Sequence, residues 1–156
     1  MPRLTADLIL HAPSFVNAVK QRELDLRGNK IPFLENLGVT KDQFDAFDLT
    51  DNEITKLENF PTLRQLVTLL VSNNRVARIA ANLGHCLPNL EWLVLTNNRI
   101  ARLEEVDSLT ACKNLTHLSL LNNPVTTQAN YRLYVIHKVP SLRLLDFRKV
   151  RYQERQ

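Results

Sequence analysis

Glycine is scarce in this chain, with three in 156 residues. A phosphate-binding loop needs several within one short segment, so neither a P-loop nor a dinucleotide fingerprint is present. Cysteine is nearly as rare: only Cys86 and Cys112 occur. Two thiols make neither a disulfide framework nor a closed zinc site. His85 stands beside Cys86, but no second close pair completes four ligands. No apolar run approaches the ~20 residues of a membrane span. The opening "MPRLTADLILHAP" holds a short apolar core between Asp7 and His11, which is not a signal-peptide pattern. These absences lead us to expect a reduced intracellular protein.

Catalytic constellations are missing as well. His117 and Ser119 fall on neighbouring strand positions without an orienting carboxylate, and no Cys/His/Asn set stands out. We therefore expect no enzyme activity, no cofactor, no metal and no small-molecule substrate.

The composition itself is globular, with 44% apolar and 23% charged residues. One domain spanning 1–156 is expected. The net charge of +4 is unevenly placed. Residues 1–125 hold 13 Lys/Arg against 14 Asp/Glu, and residues 126–156 hold 7 against 2, so the basic excess sits at one end. Arg143, Arg148, Lys149, Arg151 and Arg155 make up much of it. Such an end is either a solvated tail or a phosphate-contacting surface. No aromatic stacking platform accompanies it, so RNA contact there would be to backbone and salt-sensitive.

The dominant signal is an internal repeat. "LDLRGNKI" (24–31), "FDLTDNEI" (47–54), "LLVSNNRV" (69–76), "LVLTNNRI" (93–100) and "LSLLNNPV" (118–125) share one pattern. Their closing asparagines, Asn29, Asn52, Asn74, Asn98 and Asn123, are spaced 23, 22, 24 and 25 residues apart. Most units add an apolar residue three positions upstream: Phe44, Leu66, Leu90 and Leu115. The pattern LxxLxLxxNxI, five times over, resembles the short class of leucine-rich repeats. That resemblance implies an α/β fold, a right-handed solenoid of five repeats with parallel concave strands. A helical cap is expected over 1–20, repeats over 21–125, and a helix–strand cap with the basic end over 126–156.

The physics of the pattern agrees. Alternate residues of a strand point to opposite faces, so Leu93 and Leu95 go inward while Trp92, Val94 and Thr96 point out. No single turn buries its own apolar face, so stacking supplies the core. The arcs carry further apolar beats, such as Ile54, Leu57, Phe60 and Leu63. Both cysteines fall in arcs just before a repeat's first leucine, where packing roles are expected. Thr5 reads as the N-cap of a first helix that Pro13 stops, with Leu4, Leu8 and Ile9 covering the first turn. A second helix is expected near Tyr131, Leu133, Tyr134 and Val135, then a last strand through Leu142, Leu145 and Phe147.

The repeating asparagines read as architecture. At each strand-to-arc corner, backbone groups lose their ladder partners, and a short amide offers both donor and acceptor. Asn97 reads as an exposed neighbour. The non-repeating outward residues are more informative. Turn by turn they are Glu23, Asp25, Arg27; Ala46, Asp48, Thr50; Thr68, Leu70, Ser72; Trp92, Val94, Thr96; His117, Ser119, Leu121; and Leu144, Asp146, Arg148. The middle is apolar around Leu70, Trp92, Val94 and Leu121, whereas Glu23, Asp25 and Asp48 make the first turns acidic. A contiguous apolar patch rimmed by charge marks an interface. Six strands at ~4.8 Å spacing span ~24 Å, room for an α-helix ~10–12 Å across.

The flanking segments are more specific than the repeats. "RELDLRGNKIPFLENLG" (22–38), "DQFDAFDLTDNEI" (42–54) and "NNPVTTQANYRLYVIHKVPSLRLLDFRKV" (122–150) resemble the U2 small nuclear ribonucleoprotein A-prime family. The likeness runs from "LTADLI" to "ERQ" and implies a non-enzymatic nuclear splicing factor. It implies a B-double-prime-type partner, whose RNA-recognition domain binds a stem-loop of U2 RNA and offers a helix to the concave face. The residues then expected in that interface are Glu23, Asp25, Arg27, Asp48, Thr68, Leu70, Trp92, Val94, Thr96, His117 and Leu121. Arg22, Lys30, Lys149 and Arg151 are the candidate RNA phosphate contacts. No membrane partner is implied, and a polar tail beyond this segment is. The alternatives are another leucine-rich adaptor of the phosphatase-regulating or nuclear chaperone type, and a free-standing RNA binder.

Overall fold

The structure, a computed structural model, describes residues 2–156. The chain opens with helix α1 (Ala6–His11), started by Thr5, whose hydroxyl accepts the Leu8 N–H at 3.0 Å. Leu4 and Ile9 are buried beneath it and Leu8 packs partly against them. Strand β1 (Ser14–Val16) follows and pairs antiparallel with β2 (Arg22–Asp25). The first end is thus closed by a hairpin as well as by a helix. The repeat pattern does not announce this strand, because all three of its residues are exposed and carry no burial alternation. Its loop is held by Asn17, whose side-chain oxygen accepts the Val19 and Gln21 N–H groups at 3.1 and 3.0 Å.

The stack continues through β3 (Ala46–Asp48), β4 (Lys56–Leu57), β5 (Thr68–Leu70), β6 (Arg78–Ile79), α2 (Leu83–Cys86), β7 (Trp92–Val94) and β8 (His117–Ser119). It ends with α3 (Tyr131–Lys138), β9 (Leu144–Leu145) and β10 (Arg148–Lys149). The concave sheet runs β1-β2-β3-β5-β7-β8-β9-β10, parallel throughout except for its two outermost pairings. Strands β4 and β6 pair on the convex side. In the concave register Leu24, Phe47, Leu69, Leu93, Leu118 and Leu145 are successive partners. All six are buried. Each such side chain contributes about 1.5–3 kcal/mol on burial, and its neighbours above and below exclude the water.

Two asparagine ladders clamp the corner where each strand leaves the sheet. In the inner one, the Asn98 amide donates to the carbonyls of Val71, Leu95 and Thr96, while its oxygen accepts the Val76 N–H at 2.9 Å. Asn52, Asn74 and Asn123 repeat the arrangement one turn apart. Asn29 heads the ladder, half-buried, and reaches only its own turn at Leu26 and Arg27. The outer ladder uses the preceding residue. Gly28, Asp51, Asn73, Asn97 and Asn122 all have φ between 58° and 66°, a left-handed corner that Gly, Asn and Asp tolerate best. Asn97 donates to Asn73 at 2.8 Å, and Asn73 donates to Asp51 at 2.9 Å. Asn97, exposed as expected, is also a rung of this second ladder.

The last strand also departs from expectation. It stops at Leu145, because Asp146 (φ 53°) and Phe147 (φ 63°) form a tight left-handed turn into β10. Phe147 consequently leaves the core and stands exposed. Asp146 turns inward instead of facing out, and its carboxylate accepts the Leu120 N–H at 2.6 Å and the Tyr131 hydroxyl at 2.7 Å. In earlier turns the corresponding N–H groups, of Leu26, Leu49, Val71 and Leu95, donate to the next strand's carbonyl. The final turn has no such carbonyl, and Asp146 supplies the acceptor.

Candidate functional site

The concave strip is held by the parallel register, which aligns Asp25 with Asp48 and Leu70, and Leu70 with Val94 and Ser119. Curvature sorts these outward residues by depth. Trp92 and Leu121 are exposed at 38% and 37%, and Thr68, Leu70, Val94, Thr96 and His117 are half-buried. Ala46 and Ser119 are buried, and so is Asp48, at 8% exposure. Asp48 therefore presents little to a partner, and its carboxylate accepts the Thr50 N–H at 3.0 Å.

The acidic turns are largely spoken for within the chain. The Arg27 guanidinium forms two hydrogen bonds to Asp25, both at 3.0 Å, and lies 3.7 Å from Asp48. This pairing holds the Asp25 carboxyl below the usual carboxylate range. Glu23 accepts a hydrogen bond from the Asn17 amide at 3.1 Å. The strong negative end expected from Glu23, Asp25 and Asp48 is thus a partly neutralised cluster, because a folded turn brings Arg27 back over them.

The centre is aromatic. The Trp92 indole and the His117 imidazole stack at 3.8 Å with 4° between planes. His117 also shares a hydrogen bond with the Thr116 hydroxyl at 2.7 Å. Burial, then the nearby Arg143 charge, pushes the His117 pKa below the ordinary value. A neutral imidazole stacked on an indole makes a flat apolar shelf across β7 and β8. Thr96 and Ser119 share a hydrogen bond at 2.7 Å beside it.

Hollows open on both sides of Trp92. One, of about 280 Å³, lies between Trp92, Leu70 and the β1–β2 loop residues Val19 and Gln21. Gln21 accepts a hydrogen bond from the Thr68 hydroxyl at 3.1 Å, so the loop leans over the strip. The other, bounded by Trp92, His117, Leu144 and Phe147, holds only about 10 Å³, so these residues present a near-continuous apolar surface there. Sequence reasoning missed Val19 and Phe147 as strip residues, since Val19 lies outside the repeating strand positions and Phe147 sits on an inward one. Their exposure as large apolar residues emerges only with the hairpins that carry them.

The four candidate phosphate contacts do not converge. Arg22 lies on β2, its guanidinium 4.9 Å from the centre of the Phe44 ring, and Lys30 sits in the next loop. Lys149 and Arg151 lie at the far end of the sheet. There they line a groove of about 380 Å³ with Arg132, Arg148 and Glu154. Arg132 pairs with Glu154 at 2.6 Å and donates to the carbonyls of Leu145, Arg148 and Lys149. Arg155 donates to the carbonyls of Ile136 and Leu142. Arg132 and Arg155 therefore fasten the closing segment, leaving Lys149 and Arg151 exposed. Arg148, expected on the concave strip, pairs with Leu145 across the hairpin and lies on that residue's side of the sheet.

The remaining polar and sulfur groups build structure. Cys112 is buried, its thiol pushed up to about 11 by burial, and Cys86 is half-buried. Among the described residues no group of three or more His, Cys, Asp or Glu side chains is arranged to hold a metal.

A family model described as leucine-rich repeat matches residues 1–156. The chain is 63% identical over 155 residues to the U2 small nuclear ribonucleoprotein A' of Arabidopsis thaliana, covering 99% of this chain and 62% of the relative. It is 58% identical to the human protein of that name, covering all of this chain and 61% of the relative. The chain therefore spans about three fifths of the length of these curated relatives. Among solved structures, the Drosophila melanogaster SNF/U2A' complex contains a chain that superposes with a TM-score of 0.97 at 49% identity. That match covers 100% of this chain and 90% of the other.

Proposed function

The chain belongs to the U2 small nuclear ribonucleoprotein A' family of leucine-rich repeat proteins, and we propose that it is a protein-binding subunit of that nuclear splicing particle. Its concave face grips a helix of an RNA-recognition-motif partner and leaves the partner's RNA-binding sheet free for a U2 stem-loop. The observation that carries this reading is the Trp92–His117 shelf, with a hollow of about 280 Å³ on one side and the apolar surface of Leu144 and Phe147 on the other, running along a strip long enough for a helix. A relative with the same fold was solved as a complex with SNF, which supports a partner of that kind.

RNA contact by this chain is secondary in this reading. Arg22 and Lys30 lie at one end of the sheet and Lys149 and Arg151 at the other, ~24 Å or more apart at sheet spacing. Such an arrangement suits peripheral phosphate contacts of an RNA held by the partner. The test is calorimetric titration of this chain with purified SNF, alongside a Trp92→Ala variant. Removal of the indole is expected to weaken binding by ~2 kcal/mol or more. Unchanged affinity in that variant would remove the concave face from the interface. Tight binding of bare U2 RNA without SNF would favour a free-standing RNA binder instead.

A further inference from the structure

Phe147 occupies a position that the fold itself would fill differently. Asp146 and Phe147 are the two-residue turn between β9 and β10, with Leu145 and Arg148 paired across it. Both have positive φ, 53° and 63°. A turn of this kind favours Asn or Asp followed by Gly, since a side chain at the second position crowds the backbone. Asp146 has a structural reason to be there, because its carboxylate completes the last backbone ladder and ties down Tyr131. Phe147 has none of that kind. Its ring is 61% exposed and lies outside the buried core. A strained backbone therefore holds a large apolar ring in solvent, the combination that marks functional positions.

The ring stands at the rim of the apolar surface shared with Trp92, His117 and Leu144, continuous with the apolar centre of the strip. The charges around it differ from those at the other end. Arg143 is close enough to influence His117, and Lys149, opposite Leu144 in the hairpin, lies on the concave side. Glu23 and Asp25 mark the opposite end of the strip.

We propose that Phe147 is a partner-binding anchor, held at the end of the concave strip by its left-handed turn. An apolar residue of the partner helix packs on the exposed apolar surface that Trp92 and Phe147 form together, with acidic side chains of that helix beside Arg143. This rests on the reading that the concave face grips a helix, and adds the residue that ends the grip. The occupant is the amphipathic helix of an RNA-recognition protein, chosen because this apolar surface continues the concave strip and its basic rim complements an apolar and acidic helix end.

Stability and binding respond in opposite directions, which separates an anchor from a packing residue. Phe147→Gly and Phe147→Asn both relieve the left-handed strain, so their melting temperatures should equal or exceed that of the parent chain. Titrated with purified SNF, both should bind about tenfold or more weakly. If Trp92→Ala weakens binding while both Phe147 variants stay within about twofold of the parent, the inference is overturned and the grip stands. If both variants melt lower and bind SNF normally, Phe147 is a packing residue and the inference is likewise overturned. If the parent chain fails to bind SNF, or Trp92→Ala binds like the parent, the concave-grip reading falls and the inference falls with it.

Discussion

The Trp92 and His117 rings lie 3.8 Å apart and within 4° of parallel, across adjacent strands of the concave sheet. Trp92 is the only tryptophan of the chain, so its fluorescence reports this stack alone. The His117 pKa is depressed by burial and by Arg143, so the folded state disfavours the charged ring. The stability that this contributes is fully present above the unfolded histidine pKa of ~6.5 and is lost as pH falls through the lower folded value. Tryptophan emission should therefore change with a midpoint below ~6.5, and His117→Gln should abolish the transition. A midpoint above that value would contradict the burial argument.

The ladder amides are expected to carry stability and no binding. Asn98→Ala strands the carbonyls of Val71 and Leu95 and the Val76 N–H in the interior. Chemical denaturation should show a loss of ~1–3 kcal/mol, with unchanged affinity per folded molecule. Weaker SNF binding by an equally stable variant would return Asn98 to the list of site residues.

Gly84 packs α2 directly under the following arc. A Cβ added there would sit 2.4 Å from the Ala111 carbonyl carbon and 2.5 Å from its oxygen. These are backbone atoms that cannot move aside without shifting the turn. Gly84→Ala should cost ~1–3 kcal/mol by overpacking, despite the usual preference for alanine in a helix. A melting temperature at or above that of the parent would show that the two turns slide apart freely.

The basic closing end makes a separate claim. In a complex of this chain, SNF and U2 stem-loop RNA, reversing Lys149 and Arg151 to Glu should weaken RNA binding and flatten its salt dependence. Two phosphate contacts contribute a slope of about −2 in log K against log salt. Equal slopes for parent and variant would leave those residues as solvated surface. Arg132 and Arg155 are unsuitable for such a test, because they hold backbone carbonyls and their loss loosens the cap.

Period and polarity alone determine the solenoid of this protein. A 22–25-residue spacing of LxxLxLxxN places leucines inward and amides at corners, because strand alternation and backbone satisfaction are local demands repeated every turn. Outward positions such as Trp92 and Leu70 follow from the same alternation. The tertiary structure alone decided which of those positions stay exposed on the strip. Asp48 is buried with the Arg27 guanidinium 3.7 Å away, and Asp25 has its negative charge offset by the same Arg27. Asn97 became a rung because Asn73 lies directly across from it. The hairpin that raises Val19 lies outside the period, the turn that raises Phe147 breaks its last beat, and only the fold brings both side chains near Trp92, which is distant in sequence.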